Sequence, residues 1–307
     1  MSIACLPWYD FEEIRPITDR FWFSLVERLT EGGFAAVPQR LMREVDHGQI
    51  LAHPDLLLSQ TCGYVVATTA RDLVTLVGTP WYSAPGCREG YYTSVVLVRD
   101  EVPAETLAET RGLRCAVNEP WSHSGVNALR SLVAPLHDDG RFFSKVTRTG
   151  SHVASLCLLQ RGDADLACVD RVTAELVRRH RPHLLAGLHP VCETEPAPAP
   201  PFVTAATAAD GLVTALRDAI GDVLTAPGNA ELCETLLLDG VELLSDDLQQ
   251  TLASVLERRE AHRIGDTVGR PFDVRVISSS TSDLMRAVNQ GSFRADLFYR
   301  LGVVHFT

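Results

Sequence analysis

Short apolar runs alternate with helix-like segments along residues 1–200, and that alternation is the pattern of an α/β domain. "SIACLP" reads as a strand and "ITDRFWFSLVERLTEGG" as an amphipathic helix closed by glycine. "PDLLLSQ", "LVTLVGTP" and "YYTSVVLVRD" read as further strands. "RCAVNEP" (114–120) leads into the helix "SGVNALRSLVAPL", "KVTRTG" into "SHVASLCLLQRGD", and "ADLACVD" into "VTAELVRRH". The proline-rich stretch "ETEPAPAPPFVT" (193–204) is too restricted for a helix and reads as a linker or an extended crossover. "AADGLVTALRDAIGDVLTAP" adds one more helix.

A length of 307 residues leaves room for two domains, and 46% hydrophobic residues are enough to bury a core. A formal net charge of -11 argues against a general binder of nucleic acid or anionic membrane, whose backbone or surface charge needs a basic partner. No stretch approaches the roughly 20 apolar residues of a membrane span. "MSIACLPWYDFEEIRP" has no basic region followed by an apolar run, so no signal peptide is expected and the expected location is the cytoplasm. The eight cysteines form no C-x-x-C pair and read as reduced, mostly buried residues. His180 and His183 in "RRHRPH" lack a Cys/His cluster, so no metal site is expected.

Lysine decides a further question. The sequence holds one, Lys145, preceded by Ser144 and followed by Val146. A P-loop needs G-x-x-x-x-G-K-[ST], because its lysine reaches the terminal phosphates that glycine amides cradle. These 307 residues contain no P-loop.

Two strand-to-helix junctions suit an anion. After Val117 come Ser122, His123, Ser124 and Gly125; after "KVTR" come Thr149, Gly150, Ser151 and His152. The first turn of a helix carries unpaired N–H groups and partial positive charge, and small hydroxyl residues let an oxyanion approach them. The alternative at each junction is plain N-capping, for which serine and threonine are preferred. A Ser/His hydrolase would need an elbow such as G-x-S-x-G, which is absent.

Residues 1 to about 235 resemble the substrate-binding proteins of phosphate and phosphonate ABC transporters. The stretches that carry the resemblance are "LLLSQTCGY" (56–64), "GTPWYSAPGCREGYYTSVVLVR" (78–99), "RGLRCAVNEPWSHSGVNALR" (111–130), "TGSHVASLCLLQRGDADLACVD" (149–170) and "PPFVTA" (200–205). It implies a type II periplasmic-binding-protein-like domain over 1–234. Lobe 1 would comprise about 1–93 and 203–234 and lobe 2 about 94–202, joined by crossovers near Tyr92–Val98 and Ala199–Thr204. The implied ligand is a small oxyanion, with an ABC transporter permease as a partner and no cofactor. Position by position, the implied ligand shell is Tyr9, Gln60, Thr61, Tyr64, Tyr92, Ser122, His123, Ser124, Thr149, Ser151, His152 and Asp170. Asp170 would accept from a ligand hydroxyl, an amine or a protonated phosphonate oxygen. Trp121 stands where the resemblance implies a small or polar residue, a departure that bears on ligand size.

From Thr235 onward the chain resembles the AAA+ domain of sigma-54 activators, on "TLLLDGVELLSDDLQQTLASVLERREAHRIGDT" (235–267) and "FDVRVISSSTSDLMRAVNQGSFRADLFYRLGVVHF" (272–306). The resemblance puts Asp239 at the Walker B aspartate, Thr281 at a sensor position, and Arg294 and Arg300 at the arginines that reach a neighbour's ATP. Gly240 replaces the activating glutamate, and the P-loop is missing. Residues 235–307 therefore read as a partial AAA+ α/β segment, a degenerate member of an ATP-binding family. The expectation for the whole is a non-catalytic oxyanion binder with a degenerate tail. The alternative is a sigma-54-dependent regulator whose lobes sense ligand while the tail docks on activator subunits.

Overall fold

The α/β alternation folds into two separate sheets within Met1–Val223, and Leu224–Thr307 forms a second unit. The computed structural model describes residues 2–34, 36–43, 45–88, 90–136, 140–225, 235–238, 245–258, 260–261, 270–271, 275–278 and 284–301.

Strand β1 (Ile3–Cys5) is followed by helix α1 (Arg15–Glu31), which carries proline in its first turn, where the missing N–H has no partner to lose. It buries Phe21, Trp22, Leu25, Val26 and Leu29 on one face. Helix α2 (His47–Leu51) is capped by Asp46, whose side chain accepts from the Gln49 amide at 2.9 Å. Strand β2 (Leu56–Gln60) is buried throughout, α3 (Gly63–Ala67) follows, and β3 (Val74–Gly78) completes this stretch. The short β4 (Tyr91–Tyr92) then leads to β5 (Ser94–Arg99).

Strand β6 (Arg114–Val117) runs through a π-helical turn at His123–Asn127 into α4 (Ala128–Val133). Next come β7 (Lys145–Arg148), α5 (His152–Arg161), β8 (Leu166–Asp170), α6 (Arg171–His180) and β9 (Leu188–Glu193). The return passes through β10 (Ala197–Pro198) and β11 (Phe202–Ala205) to α7 (Asp210–Thr225).

The first sheet has the order β1-β2-β11-β3, with β1 parallel to β2 and β11 antiparallel to both its neighbours. The second has the order β7-β6-β8-β5-β9, with β6 parallel to β7 and β8 while β5 runs antiparallel to β8 and β9. Tyr92 and Tyr91 pair with Ala197 and Pro198, so the two connections between the sheets are themselves a short antiparallel ladder. The crossovers are narrower than the sequence implied: Ser94–Arg99 belongs to the second sheet and Phe202–Ala205 to the first. Strand β9 was not anticipated, because Pro190 and His189 interrupt its apolar pattern and its register slips opposite Val96/Leu97.

Each face of the second sheet has its own core. Leu156, Leu159 and Val177 from α5 and α6 pack with Val95 and Val169 on one side. Val96, Cys115, Leu129 and Cys168 pack on the other. In the second unit, β12 (Thr235–Leu238) pairs in parallel with Arg275–Ser278. Helix α8 (Asp246–Arg258) contributes Ala253 to a small core with Phe293, Leu297 and Phe298. Among the described residues, no helix is long and apolar enough to cross a membrane.

Candidate functional site

The carboxyl ends of β6 and β8 lie side by side and deliver the polar residues of the site, the usual location of ligands in open α/β sheets. Ser122, in extended backbone, caps the π-helical turn by accepting from the Gly125 amide at 3.2 Å. Asn118 donates through Nδ2 to Ser122 Oγ at 2.9 Å. A Cβ at Gly125 would overlap the Asn118 carboxamide, which explains the glycine at that position. At the neighbouring junction Ser151 caps α5, accepting from the Ala154 amide at 3.1 Å. The Thr149 amide donates to the Val117 carbonyl at 2.8 Å and so ties the two junctions together.

His152, the first residue of α5, is the hub. Its Nδ1 lies 3.1 Å from the Cys168 carbonyl, which can only accept, so Nδ1 carries the proton. Nε2 then faces Ser124 Oγ at 2.9 Å, Asn118 Nδ2 at 3.2 Å and Asp170 Oδ2 at 3.3 Å. Burial holds the imidazole below its ordinary pKa, against the opposing pull of Asp170. Asp170 is 2% exposed, and its Oδ1 accepts from the Thr173 amide at 2.9 Å as the cap of α6.

Three phenols surround that carboxylate. Burial raises the pKa of Tyr9, Tyr82 and Tyr92, and the charge of Asp170 raises each further. Tyr9 donates to Asp170 and meets Tyr82 edge-on at 5.2 Å. Its backbone is left-handed, φ 62°, a strained state for a tyrosine. From the first sheet Gln60 donates through Nε2 to the Tyr82 hydroxyl at 2.7 Å and to the Pro200 carbonyl at 2.8 Å. Thr61 Oγ1 lies 2.8 Å from His47 Nε2. His47 stacks on Trp121, ring centroids 5.2 Å apart, and both rings contact Trp8.

The structure thus draws Tyr9, Gln60, Tyr92, Ser122, Ser124, His152 and Asp170 into one polar cluster at the meeting of the two sheets. Thr61, next to Gln60 in the chain, pairs with His47 instead. His123 sits half-buried in the π-helical turn, its pKa lowered by burial. The Thr149 hydroxyl lies 2.7 Å from Ser155 Oγ of α5 and 3.0 Å from the Val117 carbonyl. Ser151 is exposed in its role as a cap, and Tyr64 is 42% exposed on α3. Asn118, Tyr82, Trp8 and His47 escaped the sequence reading; only Asn118, standing directly after a strand that ends at an anion-suited junction, offered a local signal. A cavity of about 270 Å³, lined by Val95, Leu97, Arg171, Arg178 and Pro190 among others, lies apart from these hydroxyls.

In the second unit, Arg294 donates to Asp296 through Nε at 3.0 Å and Nη2 at 2.8 Å. Its amide donates to the buried Gln249 Oε1 at 2.8 Å. Asp239, Thr281 and the side chain of Arg300 lie outside the described residues.

The family model described as "ABC transporter, phosphonate, periplasmic substrate-binding protein" matches residues 34–248, and the sigma-54 interaction domain matches residues 215–307. Among solved structures, PhnD1 from Prochlorococcus marinus in complex with methylphosphonate is 13% identical with a TM-score of 0.59, covering 76% of this chain and 88% of that one. XAC2383 from Xanthomonas citri bound to ATP is 16% identical with a TM-score of 0.57, covering 76% and 87%. At these identities the likeness is one of fold. The C4-dicarboxylate transport transcriptional regulatory protein DctD of Pseudomonas aeruginosa is 45% identical over 69 residues, which is 22% of this chain and 15% of that relative.

Proposed function

We propose that this chain, which belongs to the family of periplasmic substrate-binding proteins of phosphonate ABC transporters, binds phosphate, a phosphonate or a related small oxyanion between its two sheets and does not transform it. The lobes in this reading are about 1–93 with 203–234, and about 94–202. The observation that carries the proposal is the convergence of two serine-capped helix starts on one hub, with Ser124 Oγ 2.9 Å from His152 Nε2 and Asp170 Oδ2 3.3 Å from the same atom. Hydroxyls, a carboxamide and helix-start amides supply donors without a cationic side chain. The capping serines remain competent, since an oxygen that accepts from an amide still has its own proton to give. Asp170 adds an acceptor for a protonated ligand oxygen and repels a fully ionised one.

Isothermal titration of the full chain with phosphate, methylphosphonate and ATP tests this reading. Saturable binding of phosphate or methylphosphonate supports it; no binding of either overturns it. ATP belongs in the series because a neighbour of the same fold carries it.

A second reading rests on the sigma-54 interaction domain match at 215–307. The binding lobes would act as a sensor and the tail would dock on intact activator subunits, with Arg294 turned toward a partner's nucleotide. Chain and activator would then co-purify, and Arg294→Ala would weaken that association.

A further inference from the structure

Trp121 follows β6 of the second sheet, one residue before the serine that caps the π-helical turn, yet its indole packs against the core of the first sheet with Trp8 and Val66. It lies nearly parallel to His47, with centroids 5.2 Å apart at 20°, and 6.1 Å from Trp8. Trp8 and His47 are themselves 4.8 Å apart. These are ordinary separations for aromatic rings in contact, so the three planes leave no slot between them. The other edge of His47 is fixed by Thr61 Oγ1 at 2.8 Å. The stack therefore links Thr61, directly after β2, to the residue directly before the capping Ser122. Burial pushes the His47 pKa down to about 4, so the stack carries no charge at neutral pH.

We propose that Trp121 sets the size of the ligand: clasped by Trp8 and His47, its indole fills the space beside the oxyanion donors that the organic arm of a phosphonate would need. The chain then takes tetrahedral oxyanions whose substituent is no larger than a methyl group. This rests on the oxyanion reading above and narrows it. Indoles have few rotamers, so a clasped one excludes rather than adapts.

Titration of the full chain with methylphosphonate and phenylphosphonate tests the assignment in the wild type, Trp121→Ala and Trp121→Phe. The wild type prefers methylphosphonate by roughly 10-fold or more, the scale of a mismatch in pocket size. Trp121→Ala removes most of that preference, and Trp121→Phe retains part of it. His47→Ala, which loosens the clasp from the first-sheet side, shifts the preference in the same direction. If methylphosphonate binds but the ratio is the same in wild type and Trp121→Ala, the clasp is refuted while the oxyanion reading stands. If neither phosphonate nor phosphate binds wild type or variant, both fall. Should Trp121→Ala lose its native circular dichroism, the ratio in Trp121→Phe decides the matter.

Discussion

His152 Nε2 stands 3.3 Å from Asp170 Oδ2 while His152 Nδ1 is committed to the Cys168 carbonyl. With Nδ1 protonated, the Nε2 lone pair accepts from Ser124 and Asn118 and gives Asp170 Oδ2 no proton, so the carboxylate is open to a protonated ligand oxygen. A singly protonated oxyanion can bring that proton. Affinity for methylphosphonate should then fall as pH rises through the ligand's second ionisation. Asp170→Asn keeps an oxygen for the Thr173 amide but removes the charge, so its affinity should vary less with pH. Equal slopes in the two proteins, measured by titration calorimetry across pH, would remove Asp170 from the recognition of protonation state.

Ser124, inside the π-helical turn, and Ser151, the cap of α5, should separate into different roles. Ser124 is buried and bonded to the hub, whereas Ser151 is exposed and holds the Ala154 amide. Ser124→Ala and Ser151→Ala should each weaken oxyanion binding by about 1–3 kcal/mol if the hydroxyls donate to the ligand. Ser151→Ala should also cost about 1 kcal/mol of folding stability as a lost N-cap. Calorimetry for affinity and urea unfolding for stability read the two effects independently; unchanged affinity in both variants would leave Ser151 as a cap and Ser124 as a partner of His152 only.

Gly125→Ala tests the packing beneath the site. The added methyl would collide with the Asn118 carboxamide, which donates to Ser122. Overpacking of this kind should destabilise the fold by about 1–3 kcal/mol and displace Asn118 from the hub. A variant as stable as wild type, with unchanged ligand affinity, would show that Asn118 can move aside freely.

Acid should weaken the protein partly through His47. Its pKa falls from the ordinary value near 6.5 to about 4 on folding, because burial disfavours the charged ring. The unfolded chain therefore binds more protons between those values, and stability is full above about 6.5 and lost as pH falls toward 4. For a shift of this size the loss is about 3 kcal/mol. His152 is lowered for the same reason and acts in the same direction. His189 acts oppositely: the Ala104 carbonyl and Asp100 raise its pKa, so its contribution is present at low pH and declines as pH rises past its folded value. Denaturant midpoints measured across pH should show a shallower acid loss in His47→Phe, which keeps a ring in the stack. An unchanged slope would locate the acid sensitivity elsewhere.

What the sequence made legible follows from physical locality. Strands such as Leu56–Gln60 and Leu166–Asp170 are buried throughout and announce themselves as short runs with apolar centres. Ser122 and Ser151 are recognisable because a helix start needs a cap in the chain beside it. His47 and Trp121 meet across 74 residues, and Gln60 reaches the Pro200 carbonyl across 140. Contacts of that span leave no periodic trace in a single sequence. Tyr82 was hidden for a related reason: its phenol matters through Gln60, on a different element. The left-handed backbone of Tyr9 carries no local mark such as glycine either.

Walker-type affinity for a triphosphate comes from a lysine and a glycine-rich cradle, and the chain's single lysine, Lys145, lies at the start of β7 in the second sheet. Arg294 forms an ion pair with Asp296 two residues away, at 2.8 Å. Neither feature equips residues 224–307 to hold ATP alone. The full chain should therefore show no ATP hydrolysis above the buffer rate, and any ATP affinity should reside among the hydroxyls of the first unit. Ser124→Ala should then weaken ATP binding, while Arg294→Ala leaves it unchanged. Phosphate release together with fluorescent-nucleotide titration distinguishes the outcomes: turnover that disappears in Arg294→Ala would mean that the tail supplies catalytic machinery after all.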